Sequence, residues 1–81
     1  MKITVLDFNS NSVDIINVDE KWLRNDLRDS LSEWYDDEEW AEKDESDLIE
    51  LFLFDYCNYS GSAVYMADCS QIQYLTPKDF N

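Results

Sequence analysis

Between Asp29 and Asp55 the chain carries twelve acidic residues against one base, Lys43, while residues 1–28 and 56–81 each sum to −1. One third of the sequence therefore holds nearly all of a formal charge of −13. A magnitude of about 2–8 already keeps a small domain soluble, so the excess calls for another account. A field of this sign repels nucleic-acid phosphates and anionic lipid headgroups. Direct binding to DNA, RNA or a membrane surface is disfavoured, and basic proteins are the natural partners.

Acidity does not make this chain a disordered tail: 44% of its residues are apolar and 15% aromatic, too many for that class. With 81 residues it forms one domain, 1–81, whose core, rich in Trp, Tyr and Phe, is of a size that rarely supplies more than about 3–5 kcal/mol. Apolar runs such as Leu51–Phe54 fall far short of the ~20 residues of a membrane span. Met1-Lys2 leads into an apolar-leaning run closed by Asp7, unlike a signal peptide. The expected compartment is the cytoplasm, with Cys57 and Cys69 as free, small core thiols; a single disulfide between them is the alternative. Without His or a CxxC pair, the familiar zinc spacings cannot be built.

The expected fold class is α+β: an N-terminal β-hairpin packed against one or two helices, with short C-terminal strands. Ile3–Phe8 and Val13–Val18 are β-rich and flank the polar turn Asn9–Ser12. Asp19 is placed to cap a helix running through about Tyr35. Leu23, Leu27, Leu31 and Trp34, spaced four, four and three, give it one apolar stripe. Four acids at a helix C-terminus oppose the macrodipole, so Asp36–Glu39 instead start a second short turn containing Trp40 and Ala41. For Leu48–Tyr56 the sequence supports two structures. Asp47 as cap, with Glu50 three residues on, favours a helix; the alternation of Phe52 and Phe54 with Leu51 and Leu53 also suits a buried strand. Helix is the choice made here. Gly61 marks a loop, Ala63–Ala67 and Ile72–Leu75 read as strands, and Pro77 ends the regular structure.

The order of strand, polar turn, strand and acidic helix, with Gln71-Ile72-Gln73-Tyr74-Leu75 near the end, resembles small acidic proteins of unknown function carried on bacterial phages and mobile elements. The resemblance covers mainly residues 2–18 and 69–80. It implies a setting in which some such proteins blunt host defence by occupying nucleic-acid-binding surfaces. It transfers no catalytic residue.

On the projected first helix, Asp26, Asp29, Glu33, Asp36 and Asp37 form one stripe opposite the leucines, with Lys21, Arg24 and Arg28 on a separate flank. Like charges at i,i+3 and i,i+4 each destabilise a helix by roughly 0.2–0.5 kcal/mol, so four such contacts cost on the order of 1–2 kcal/mol. A solvated helix face is the bland account, yet such faces usually mix signs. Carboxylates about 5–6 Å apart could instead occupy a basic nucleic-acid groove, together with Glu38, Glu39, Glu42, Asp44 and Glu45. Trp22 projects among these acids near Asp26, and Trp40 lies in the acidic stretch. Either ring could anchor an Arg of a partner or simply pack internally.

Metal binding by Asp36–Glu39 lacks the alternate ligands and the Gly of a calcium loop, so neither metal nor cofactor is expected. Catalysis has little footing, with no His, no Gly-rich phosphate loop and no nucleophile elbow. The expected function is non-catalytic: an inhibitor or modulator engaging a basic protein surface by charge mimicry. The alternative is a structural or assembly protein binding through the aromatic surface around Leu48–Tyr59, with acidity serving solubility.

Overall fold

The computed structural model describes residues 1–80. Strands β1 (Lys2–Asp7) and β2 (Ser12–Asn17) pair antiparallel, with Asp7 opposite Ser12 and Lys2 opposite Asn17. The Asp7 carboxylate holds the turn between them, accepting from the Asn9 amide at 3.1 Å and the Ser10 hydroxyl at 2.7 Å. The Ser10 bond is the main reason its pKa is lowered. Strand β3 (Val64–Ala67) lies antiparallel on the other side of β1, giving the order β2-β1-β3. Asp68 locks this third strand: its amide donates to Lys2 O at 2.7 Å, and its carboxylate accepts the Lys2 amide at 3.2 Å. Asn11, Asn58 and Asp68 take positive φ of 56°, 62° and 52°, a region short polar side chains tolerate. Gly61 does not.

Ile3 and Val5 point to one face of the sheet and are buried, and Ile16, Tyr65 and Ala67 flank them. Against that face pack helices α1 (Glu20–Asn25), α2 (Asp37–Glu42) and α3 (Glu45–Glu50). These supply Leu23, Trp40, Leu48 and Ile49 to the core. Each helix opens on an aspartate whose side chain satisfies an otherwise orphaned amide. Asp19 accepts from Lys21 at 2.8 Å and Asp36 from Glu39 at 2.7 Å. Asp44 and Asp47 exchange bonds reciprocally at 2.9 and 3.2 Å. The cap of α3 is thus Asp44, one turn before the expected Asp47, and Asp47 is its partner in the box. Beyond Glu50 the helix widens into a π-turn, Leu51–Tyr56, where the Cys57 amide donates to Phe52 O at 2.8 Å. Leu48–Tyr56 is helical throughout, as the capping pattern favours over a strand.

Four expectations are corrected. The first helix stops at Asn25; a 3-10 turn, Leu27–Ser30, follows, and Leu31 is extended at φ −88°, ψ 155°. Asn25, Asp26, Ser30 and Ser32 are weak helix formers, and the break spares the like-charge contacts of a continuous helix. Leu23 and Leu27 still reach the core, but Trp34 is 70% exposed. The second correction concerns Ile72–Leu75, which pairs with no strand among the described residues, and Pro77 opens a 3-10 turn, Pro77–Phe80, rather than ending structure. Third, Cys57 and Cys69 are free but only half-buried: Cys57 packs against the edge of the core, whereas Cys69 lines the groove beside β3. Last, Leu48, Ile49, Phe52 and Leu53 are core, so the surface expected around Leu48–Tyr59 is largely interior.

Candidate functional site

The positions of α2 and α3 follow from one basic residue. Arg24, near the end of α1, donates through Nη1 to Trp40 O at 3.1 Å and through Nη2 to Lys43 O at 2.7 Å. These are carbonyls of the last turn of α2, where the helix dipole favours a cation. In return the Trp40 indole N–H donates to Arg24 O at 2.6 Å. Trp40, 6% exposed, is therefore a core clasp and not a partner anchor. Of the two roles open to this ring, surface anchor or internal packing, burial and a satisfied N–H select the second.

The projected ridge does not form as one stripe. Asp26 follows the last turn of α1 beside Trp22, and Asp29 stands exposed in the 3-10 turn. Glu33 sits in the extended stretch and accepts from the Tyr35 hydroxyl at 3.4 Å. Asp36 is committed to capping α2. Asp37 pairs with Arg28 at 2.8 Å; with the Asp37 side chain 94% exposed, that pair contributes at most about 1 kcal/mol. Of the flanking bases, Arg28 thus meets an acid that it was expected to avoid. Arg28 also lies over the exposed Trp34 ring, 5.0 Å from its centroid. Trp22 is half-buried, edge-on to Phe52 and Tyr56 at 5.8 and 5.3 Å. It shares a wide, open hollow of about 490 Å³ with Asp26 and Lys21, so its packing is chiefly internal. Asp19 and Phe52 also line that hollow.

What the structure does bring together is a different acidic face. Glu39, Glu42, Lys43 and Asp47 surround a hollow beside Tyr35. An adjoining hollow shares Lys43 and Asp47 and is completed by Glu50, Leu51, Phe54 and Asp55. Lys43, the one base of this stretch, is drawn over the Tyr35 ring at 4.6 Å. Tyr35 records the surrounding field: its pKa is raised, first by burial and then by the carboxylates of Glu33, Asp55 and Glu39. Glu50 accepts from the Tyr65 hydroxyl at 3.0 Å; burial, and then this bond, raise the Tyr65 pKa. Glu38 is exposed on the first turn of α2.

Several acids have local duties, since Asp36, Asp44 and Asp47 cap and Asp37 through Glu39 sit at a helix N-terminus that favours negative charge. Glu42 and Asp55 have no hydrogen-bond or ion-pair partner among the described residues. Asp47, Glu50 and Asp55 were missed in the sequence, although three- and five-residue spacing along a helix widened by a π-turn could have grouped them. Glu20, Glu45 and Asp68 place carboxylate oxygens within 4.8 Å of one another, all exposed; Asp36–Glu39 form no such trio. The arrangement is chemically suited to receive guanidinium or ammonium groups, with Tyr35 and Phe54 as half-buried apolar floor. No family model, no curated protein and no solved structure matches this chain.

Proposed function

We propose that this chain is a non-catalytic binding protein whose acidic face at α2–α3 engages a basic protein surface. The carrying observation is the convergence of Glu39, Glu42, Asp47, Glu50 and Asp55 around Lys43 and Tyr35. The two nearby arginines are occupied elsewhere, Arg24 on carbonyls and Arg28 on Asp37. A surface that gathers carboxylates without matching cations leaves attraction to spare for an external one. In its most specific form the proposal is charge mimicry: these carboxylates take the place of phosphates on a nucleic-acid-binding protein. In the setting that the resemblance of segments 2–18 and 69–80 to small acidic mobile-element proteins implies, the target is a cytoplasmic protein of host defence.

The test is capture of proteins from a bacterial extract on the immobilised chain at two salt concentrations. Retained proteins should be basic and released by salt, because exposed charges are screened over about 8 Å at physiological ionic strength. Glu39→Gln, Glu42→Gln and Asp55→Asn together, none of them a helix cap, should abolish capture. Asp26→Asn with Asp29→Asn should not. Retention that ignores salt, or that survives the triple change, refutes the proposal.

A further inference from the structure

The face of the sheet turned away from the helices is apolar and bare. Register places Ile15, Thr4 and Met66 in one cross-strand row and Val13, Leu6 and Val64 in the next. All but the half-buried Thr4 are exposed. Beside them runs a groove of about 200 Å³ lined by Thr4, Leu6, Val64, Tyr65, Met66 and Cys69. Along β1 the charge on this face is Lys2, at the end where it pairs with Asn17; Asp7, at the other end, lies on the side of Ile3 and Val5. Segment 69–80 is equally unpartnered. Every residue from Ser70 to Phe80 is exposed, including Ile72, Leu75, Tyr74 at 93% and Phe80 at 76%. Among the described residues no backbone amide from Gln71 to Leu75 donates a hydrogen bond.

We infer that segment 69–80 of one copy covers the outer sheet face of a second copy, reciprocally, so that the chain forms a two-fold dimer. Charge selects this occupant. Two chains of −13 can approach only through surface that lacks acids, and residues 56–81 carry a net −1 while the two rows carry none. Area is sufficient as well. Taking roughly 100 Å² for each half-exposed aliphatic and about 200 Å² for each exposed aromatic, face and segment offer on the order of 1,000 Å² per chain, against about 800 Å² per partner in a standard interface. Reach is sufficient too, since twelve extended residues span up to about 40 Å and the molecule itself measures 53 × 25 × 18 Å. A reciprocal exchange uses the same two patches on both subunits, as a two-fold interface requires. This surface is separate from the acidic face, so the dimer stands or falls independently of the proposed function.

Sedimentation of the full-length chain from micromolar to sub-millimolar concentration tests it. A monomer–dimer equilibrium is expected, tightening with added salt as repulsion between the chains is screened, the opposite sign to binding through the acidic face. Ile15→Thr with Met66→Thr on the face, or Tyr74→Ser with Leu75→Ser on the segment, should each weaken the dimer at least tenfold. All four side chains are exposed, so unchanged circular dichroism and melting verify the fold. Mixing the two variants should restore dimer to an intermediate level, because each mixed pair keeps one intact segment-on-face contact. A monomer under all conditions, a dimer indifferent to the Tyr74/Leu75 variant, or a mixture no better than its components overturns the inference. The first of these would hold if the segment folded back on its own sheet.

Discussion

Replacing Arg24 by Met keeps the aliphatic stem and deletes the two bonds from the guanidinium to Trp40 O and Lys43 O at 3.1 and 2.7 Å. Hydrogen bonds from a charged donor contribute about 1.5–3 kcal/mol when buried. The pair is half-buried and shares one side chain, so the combined loss should lie near 2–3 kcal/mol. Helix α2 has six residues and cannot persist in isolation, so losing its C-terminal restraint releases the whole acidic corner. At about 4–8 °C per kcal/mol for a domain of this size, the melting temperature should fall by roughly 10–20 °C. Trp40→Phe removes the return bond, at 2.6 Å, and part of a buried ring, and should cost about 2–4 kcal/mol. Urea denaturation of both single variants and the double variant measures whether they act as a unit. Residues in one network couple by about 0.5–3 kcal/mol, and at least ~1 kcal/mol is expected here. An Arg24→Met loss within the ±0.5 kcal/mol of an ordinary surface change, or strictly additive variants, would refute the clasp.

Tyr59 donates to Asp14 at 2.6 Å, and that bond, chiefly, pushes its pKa up to about 12. The native state holds this proton more tightly than the unfolded chain, so its stabilisation is complete below the ordinary value of 10.0 and drains away as pH rises to about 12. Tyr59→Phe should lose about 1–2 kcal/mol at neutral pH and show a flatter decline across the alkaline window in pH-dependent melts. Asp44→Ala should destabilise the fold by about 1 kcal/mol through loss of the α3 cap, and Asp44→Ser should recover most of it; no recovery would mean that the charge, not the cap, matters. Trp34→Phe should remove the red-shifted, acrylamide-quenched part of the fluorescence and change stability by no more than about 1 kcal/mol. Trp40→Phe should instead remove the blue-shifted part.

The hairpin was readable because β-branched residues and a polar turn agree over a short range, and Asp19 as a cap needed nothing beyond its neighbours. The helical form of Leu48–Tyr56 was reached through a cap set one turn late. Two successive aspartates, Asp44 and Asp47, can both serve, and only the reciprocal bond distinguishes them. The break after Asn25 was harder. The Leu23–Leu27–Leu31–Trp34 period is helical on paper, but Leu27 reaches the core equally well from a 3-10 turn, which frees the acids that follow. With the helix went the ridge, and the acidic face assembled elsewhere, from residues whose meeting depends on Arg24 reaching the end of α2. That contact spans sixteen to nineteen positions and leaves no local mark. For the same reason Trp34, expected on the apolar stripe, is exposed, and Trp40, open to either place, is core.

The central strand has two neighbours of very different origin. β2 returns after a four-residue turn, whereas β3 arrives from beyond Tyr59, and its clasp from Asp68 to Lys2 crosses 66 positions. Closing a short loop takes tens of nanoseconds, but a connection this long costs more entropy and rewards it only when the intervening helices have collapsed. Folding should therefore have two tempos, with the first two strands formed in the rate-limiting ensemble and the third zipped on afterwards. Destabilising changes at Ile16 would slow refolding, while those at Tyr65 or Ala67 would mainly hasten unfolding.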